Sequence, residues 1–395
     1  MTTAFTSAVC ITPLEIIGDA VVVVENGIIT SVGPRSHIEI PLEARVVELG
    51  DAVLAPGFVD MHIHGGGGHD VMEGTAEALT TIERHLAAHG TTSYFPTTVT
   101  APLDQTLHAL EQLAGRIENC SSTLDSQKDG EGEAQSLGIH MEGPFLSRQK
   151  RGVHPLEHLR DASAELFDRL WQAARGHIKI LTIAPEVSGA EEVIREASRR
   201  GVCVSLGHSN ACGLEAKKGI EAGARHATHT FNAMRGLEAR EPGMLGIALT
   251  DDRLTAEIIA DGVHVAPEMI RLFLQAKGPE RAVLVTDAIS ATGMSEGRYR
   301  LGSGVVEVRN NVCLSEGRLA GSMLTLDRAM GNVMEFACWP LERALRLATL
   351  NPSKAAGIYP RKGALAPGAD ADFVVLTPKG ELIKSIIVRG ETASR

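Results

Sequence analysis

Gly57-Phe58-Val59-Asp60-Met61-His62-Ile63-His64-Gly65-Gly66-Gly67-Gly68 is the stretch from which the rest of the chain is read. The apolar run from Phe58 to Met61 has the character of a buried strand, and it delivers two histidines, two residues apart, into a run of glycines. Alternate strand residues face the same side, so His62 and His64 point one way. An imidazole pair held like that suits a transition metal, and glycines let backbone and ligand approach closely. Taken alone, a His-x-His pair on an exposed strand is as often incidental. Its weight comes from the residues it meets further along.

Outward from this strand, the chain from 56 to 356 alternates strands with helices. Eight strand candidates, at 58–61, 92–96, 136–141, 178–183, 202–206, 226–229, 256–260 and 282–285, are separated by helical stretches such as 76–90, 162–175, 190–200 and 266–277. Strand–helix units repeated this way read as a parallel sheet, and eight of them predict a closed (β/α)8 TIM-like barrel. Residues 1–55 and 357–395 differ in character. Ala20 to Val24, a turn at Glu25-Asn26-Gly27 and Ile28 to Val32 predict a hairpin, because Asn-Gly favours tight turns. Ala371 to Leu376 and Leu382 to Val388 predict two more strands around Pro378-Lys379-Gly380. Together the two ends are expected to build one small β-sandwich domain. The stretch 115–135, rich in Ser, Asp, Glu and Gly, is expected to be a surface loop on one crossover.

Composition bounds the function. With 44% hydrophobic and 22% charged residues, the 395-residue chain has the make-up of a soluble globular protein. A formal net charge of -11 argues against a nucleic-acid partner, which needs a basic face. It leaves room for a small anionic ligand, because a local pocket decides that. Cys10, Cys120, Cys203, Cys212, Cys313 and Cys338 are scattered with no Cys-x-x-Cys pair, which suits reduced thiols in a cytoplasm. Met1 to Pro13 carries no signal-peptide pattern, and apolar runs such as Ala20 to Val24 are far short of a membrane span. A cytoplasmic location with no membrane partner is the expectation.

In a barrel of this kind the active site lies where the strands end at their C-termini. Strand one ends at His62 and His64, strand three at Glu142, strand five at His208, strand six at His229 and strand eight at Asp287. Each alone has a bland reading as a capped or exposed polar residue. Five strand ends bringing four histidines and two carboxylates to one mouth are the inventory of a site for one or two divalent metals. Glu142 can hold one metal or bridge two, His208 and His229 are neutral nitrogen ligands, and His62 with His64 completes a second position. Asp287 is cast as the base that takes a proton from water activated by the metal and returns it to a departing amine. The reaction class is metal-assisted hydrolysis of an amide or related C–N bond. Zinc leads among the candidate ions, and iron, manganese and cobalt also suit these ligands.

The start Pro56 to His64, the Asp287 end and the closing Gly363-Ala364-Leu365-Ala366-Pro367-Gly368-Ala369-Asp370-Ala371-Asp372 resemble the amidohydrolase superfamily. Within it, the chain is similar to the family of N-acetylglucosamine-6-phosphate deacetylases. The matching motifs are His140-Met141-Glu142-Gly143-Pro144-Phe145, Gly207-His208-Ser209-Asn210, and His229-Thr230-Phe231-Asn232-Ala233-Met234 running on to Arg240-Glu241-Pro242-Gly243. Asp261-Gly262-Val263-His264 and Leu319-Ala320-Gly321-Ser322 also match. They cover nearly the whole chain in the expected order. The resemblance implies removal of the acetyl group from N-acetylglucosamine 6-phosphate, in amino-sugar catabolism or recycling, by a homodimer. It implies that Glu142, His208 and His229 hold the principal metal and that Asp287 is the catalytic acid and base. Asn232, Ala233 and Arg240 would hold the sugar phosphate, where the Arg240 fork matches phosphate oxygens. Asp261, Gly262, Val263 and His264, with Val153, His154 and the loop Leu319, Ala320 and Gly321, would line the sugar pocket. Some members lack the His-x-His pair and work with one metal. This chain keeps it, which favours two.

Two other readings compete. A cyclic-amide hydrolase or base deaminase of the same superfamily would have no use for Arg240, Asn232 and Ala233 as a phosphate site. A non-catalytic barrel that serves as a binding module should have lost ligands, and every expected one is present. Arg148, Lys150 and Arg151 read as a solvated or subunit-contact loop rather than the phosphate anchor, and Cys212 as a small buried thiol. His69, His85, His89, His108, His158 and His177 read as surface or capping residues.

Overall fold

A computed structural model of the chain describes residues 2–120 and 132–388. Its centre is a ring of eight parallel strands. Strands one to four are Phe58–Ile63, Thr91–Thr98, Ile139–Glu142 and Ile178–Ile183; strands five to eight are Cys203–Leu206, His226–Ala227, Thr255–Ile258 and Ala282–Leu284. Each is paired to the next in sequence. The strands read as apolar runs because both faces are covered: every residue of strands one, two and three is buried. The ring closes beyond strand eight. Ile63 and Ala288 form a parallel bridge there, and the Asp287 amide donates to the His62 carbonyl at 2.9 Å. Asp60, buried in strand one, ties the same seam from inside, accepting the Thr286 hydroxyl at 2.6 Å.

The expected helices form on amphipathic stretches with polar starts. Thr75 caps Ala76–Ala88 by accepting from the Ala78 amide, and Ser163 caps Ala164–Ala173 by accepting from Leu166. Ala190–Arg199 buries Ala190, Val193, Ile194 and Ala197, the spacing of one helical face. The expected loop at 115–135 is only partly a loop. Residues 115–120 complete the helix Leu103–Cys120, residues 121–131 lie outside the described residues, and Gln135–Ser136 pairs with strand two. Strand six stops at Ala227, so His229 sits beyond it rather than inside it.

The two ends of the chain do meet. Hydrogen bonds join Leu382–Val388, Ala371–Leu376, Val53–Pro56, Thr2–Ile11, Ile16–Glu25 and Ile28–Pro34 in that order, and Arg45–Glu48 also pairs with Thr2–Ile11. The small β domain expected from the two ends is thus present, as one connected seven-stranded sheet. The sheet is continuous because Thr2–Ile11 carries Arg45–Glu48 beside its first half and Val53–Pro56 beside its second. Phe5, Val22, Leu54 and Phe373 pack in its core, with the Phe5 and Phe373 rings 5.1 Å apart.

A four-stranded antiparallel sheet follows strand eight and was not foreseen. Its strands are Gly297–Leu301, Gly304–Arg309, Val312–Ser315 and Arg318–Leu319. Leu301, Val306, Val308 and Cys313 pack on Val99, Ile289 and Ala291, which anchors the sheet beside the C-terminal mouth of the barrel.

Candidate metal centre and active site

Glu142, the last residue of strand three, is buried under a cluster of imidazoles. Its Oε1 lies 3.2 Å from His208 Nε2, 3.3 Å from His229 Nε2 and 3.4 Å from His62 Nε2. Its Oε2 lies 3.3 Å from His64 Nε2 and 3.4 Å from His154 Nε2. The strand ends deliver these groups by turning sharply. His208, His229 and Asp287 have φ of 47°, 26° and 50°, a left-handed backbone that is rare for such residues and recurs at functional sites.

The proton positions on the rings follow from their partners. His64 Nδ1 donates to the Thr97 carbonyl at 3.0 Å and His208 Nδ1 to the Lys150 carbonyl at 2.9 Å. A carbonyl can only accept, so Nε2 of each neutral ring is a lone pair aimed inward. His62 Nδ1 faces Glu257 Oε2 at 3.1 Å, with the same consequence. His62 Nε2 and His64 Nε2 are then 3.2 Å apart, and His208 Nε2 and His229 Nε2 are 3.0 Å apart. Lone pairs facing at these distances repel unless positive charge lies between them. Glu142 Oε1, buried, has no hydrogen-bond donor of its own. A nitrogen and carboxylate donor set with these unmet atoms fits a divalent cation.

Without a cation, protons on the rings supply the positive charge that this donor set calls for. Burial opposes protonation of His64, yet hydrogen bonds to Asp287 and Glu142 outweigh it and lift the ring to about 9. His62 is likewise raised well above its ordinary value, burial being outweighed by Glu142 and Glu257. Asp287 Oδ1 is 3.2 Å from His64 Nε2. Burial would raise its carboxyl, but the His64 hydrogen bond and the nearby imidazoles hold it at about 2.

His154 differs from the other rings. Its Nδ1 accepts from the Thr100 amide at 3.3 Å, so a neutral ring carries its proton on Nε2, facing Glu142. Burial, against the pull of Glu142, brings it down to about 4. It is a hydrogen-bond donor rather than a ligand.

Above the cluster opens a cavity of about 340 Å³, with His64, Glu142, His208, His229 and Asp287 in its lining. Val153, His154, Asn232, Ala233 and His264 also line it, as do Leu319, Ala320 and Gly321 from the edge of the four-stranded sheet. Asp261, Gly262 and Val263 do not. They form the turn that carries His264, whose Nδ1 pairs with Asp261 Oδ2 at 2.7 Å. Arg240 lies exposed on the loop after Met234 and is not part of the cavity wall. Lys150 and Gln149, from the basic loop, do line it.

Sequence reasoning missed Glu257 and His226, both wholly buried, which lie behind His62. Gly65–Gly66 and His69–Asp70 form a small hairpin around Gly67 and Gly68. A Cβ on Gly65 would run into the His69 carbonyl and lie 2.8 Å from the Ser290 amide nitrogen, so at this glycine backbone approaches backbone closely. Among the other histidines, His69, His89 and His177 pair with Glu73, Asp327 and Glu118 away from the cluster.

Among the described residues no helix is long and apolar enough to cross a membrane. The sequence profile of the Amidohydrolase family matches residues 53–393. The N-acetylglucosamine-6-phosphate deacetylase of Bacillus subtilis (strain 168) is 36% identical over 384 residues, covering 97% of this chain and 95% of its own. The N-acetylgalactosamine-6-phosphate deacetylase of Escherichia coli O157:H7 is 38% identical over 355 residues, covering 90% and 91%. A mutant N-acetyl-D-glucosamine-6-phosphate deacetylase from Mycobacterium smegmatis, solved in complex with N-acetyl-D-glucosamine-6-phosphate, superposes with a TM-score of 0.89. It is 34% identical and covers 98% of each chain.

Proposed function

The chain belongs to the amidohydrolase family, and from that membership we propose that it removes the acetyl group of N-acetylglucosamine 6-phosphate, giving glucosamine 6-phosphate and acetate. The observation that carries this reading is one sugar-sized cavity holding both the Glu142–histidine cluster and Asp287. In this reading Glu142, His208 and His229 would hold one divalent cation, and His62 and His64 would hold a second. A divalent cation, when bound, supplies an acidified water and draws electron density from the acetyl carbonyl. Zinc is the ion we favour.

The remaining steps belong to the chain. Asp287 is ionised at neutral pH, because positive charge beside it outweighs its burial, and can therefore accept the proton of the attacking water. Delivering that proton to the sugar nitrogen makes the departing amine neutral. His154 offers its Nε2 proton to a substrate oxygen, and His264, braced by Asp261, offers a second polar edge. Asn232, Ala233, Val153 and the Leu319 to Gly321 segment shape the sugar pocket, and Asp261 to Val263 act through His264. Arg240 would meet the phosphate once the loop that carries it lies against the mouth. We also propose a homodimer working in the cytoplasm, where the free Cys10, Cys203, Cys212, Cys313 and Cys338 would stay reduced.

A second reading has a specific observation behind it, the similarity to a deacetylase of the galacto epimer. One acetate-release assay tests both. It compares N-acetylglucosamine 6-phosphate, N-acetylgalactosamine 6-phosphate and unphosphorylated N-acetylglucosamine, for the native chain and Arg240→Ala. We expect the gluco phosphate to be turned over fastest, and Arg240→Ala to raise KM for the phosphorylated sugars alone. A faster galacto epimer selects the second reading, and an equal effect of Arg240→Ala with and without phosphate removes Arg240 from the phosphate site.

A further inference from the structure

Strand seven supplies no member of the cluster around Glu142, yet its Glu257 is fully buried and fully engaged. Oε2 accepts from His62 Nδ1 at 3.1 Å and from the His229 amide at 2.9 Å. Oε1 accepts from His226 Nε2 at 3.1 Å, and the other nitrogen of that ring faces the Thr255 hydroxyl at 2.6 Å. One carboxylate therefore touches a ring from strand one and the main chain beyond strand six.

We propose that Glu257 is the positioning residue of the second cation site, acting through His62. This role rests on the two-cation reading above. The four inward-facing rings are backed differently. His64 and His208 donate to main-chain carbonyls, His229 Nδ1 has no partner, and His62 alone has a carboxylate behind it. A carbonyl is enough to select the tautomer, as it does for His64. A carboxylate adds a full negative charge behind the ring and makes Nε2 a stronger electron donor. His62 also has little room to turn. Its ring lies edge-on to His140, with centroids 4.6 Å apart, and His140 is itself held at both nitrogens by the Met61 carbonyl and the Thr182 hydroxyl. The bond to the His229 amide adds a mechanical link, because it pins a residue with a strained backbone that carries a ring of the other pair.

Glu257→Gln isolates the charge. A glutamine oxygen at the Oε2 position can still accept from His62 and His229. Its amide group can donate to His226, whose ring then donates through its other nitrogen to Thr255. Every hydrogen bond survives and only the negative charge goes. The test titrates metal-free native and variant chains with Co(II), following the visible ligand-field spectrum and the ions bound per chain by elemental analysis. Thermal unfolding first verifies that the variant folds. If it does not, Glu257→Asp, which draws the carboxylate back from His62 and from the His229 amide, takes its place, and its second site should weaken more than its first. We expect two ions on the native chain. In Glu257→Gln we expect the second site alone to weaken, by roughly 10- to 100-fold, with its spectral component appearing last in the titration. Equal weakening of both sites, or of neither, overturns the role of Glu257. A native chain that saturates at one ion overturns the two-cation reading and the role of Glu257 with it.

Discussion

Asp287 lies three residues past strand eight, and its carboxylate sits against His64 rather than against a lysine or arginine. That position suits a proton carrier, which must reach both the attacking water and the leaving nitrogen. Asp287→Asn keeps the shape and removes the basic oxygen. We expect kcat for acetate release to fall by about 100-fold or more, with the ions bound per chain unchanged. A parallel loss of metal would recast Asp287 as a ligand. Most of the cluster was legible at this scale because each member is a histidine or carboxylate standing where an apolar run stops, as in Leu206-Gly207-His208 and Met141-Glu142-Gly143. Glu257 was not legible. In Thr255-Ala256-Glu257-Ile258 a lone glutamate inside a short strand reads as a residue facing outward, and only the closed ring turns it toward His62.

The hairpin of Gly65–Gly66 with His69–Asp70 shows how an element can hold a ligand in place. His64 and Gly65 donate to the Ala288 carbonyl at 2.8 and 3.1 Å, and Gly68 donates to the Ser290 carbonyl at 2.8 Å. The hairpin thus rides directly on the segment that follows Asp287. A side chain at residue 65 would meet main-chain atoms on both sides, which cannot swing away. Gly65→Ala should therefore cost about 1–3 kcal/mol of unfolding free energy, as overpacking does. It should also weaken metal binding at His64, so denaturant unfolding and metal analysis should move together. Stability unchanged in urea would show that the hairpin lifts away freely. At this scale the Asn26-Gly27 hairpin was legible from its turn, whereas the four-stranded sheet was not. Its strands run two to six residues, several of their side chains face solvent, and its turns at Asn310-Asn311 and Glu316-Gly317 carry no apolar run long enough to flag them.

At the scale of the whole molecule, the C-terminal mouth of the barrel gathers carboxylates and imidazoles that need positive charge among them. Chelation should therefore loosen more than the chemistry. We expect a lower Tm for the metal-free chain and recovery on adding back Zn(II). The gain should rise with free ion, reaching about 2.7 kcal/mol at a hundredfold excess over Kd. A Tm indifferent to chelator would mean that the cluster is stable as bare side chains. The barrel itself was legible from eight alternations of strand and helix. Its closure was not, because Thr286-Asp287-Ala288-Ile289 has no strand pattern and becomes a seam only when it meets Asp60, His62 and Ile63. That seam joins positions 226 residues apart in the chain. A growing polypeptide on the ribosome thus carries its His-x-His strand for most of translation with one edge bare, and the same holds for Val53–Pro56, which waits for Ala371–Leu376. Every imidazole of the cluster precedes Asp287 in the chain, so the site cannot assemble until that carboxylate has been made.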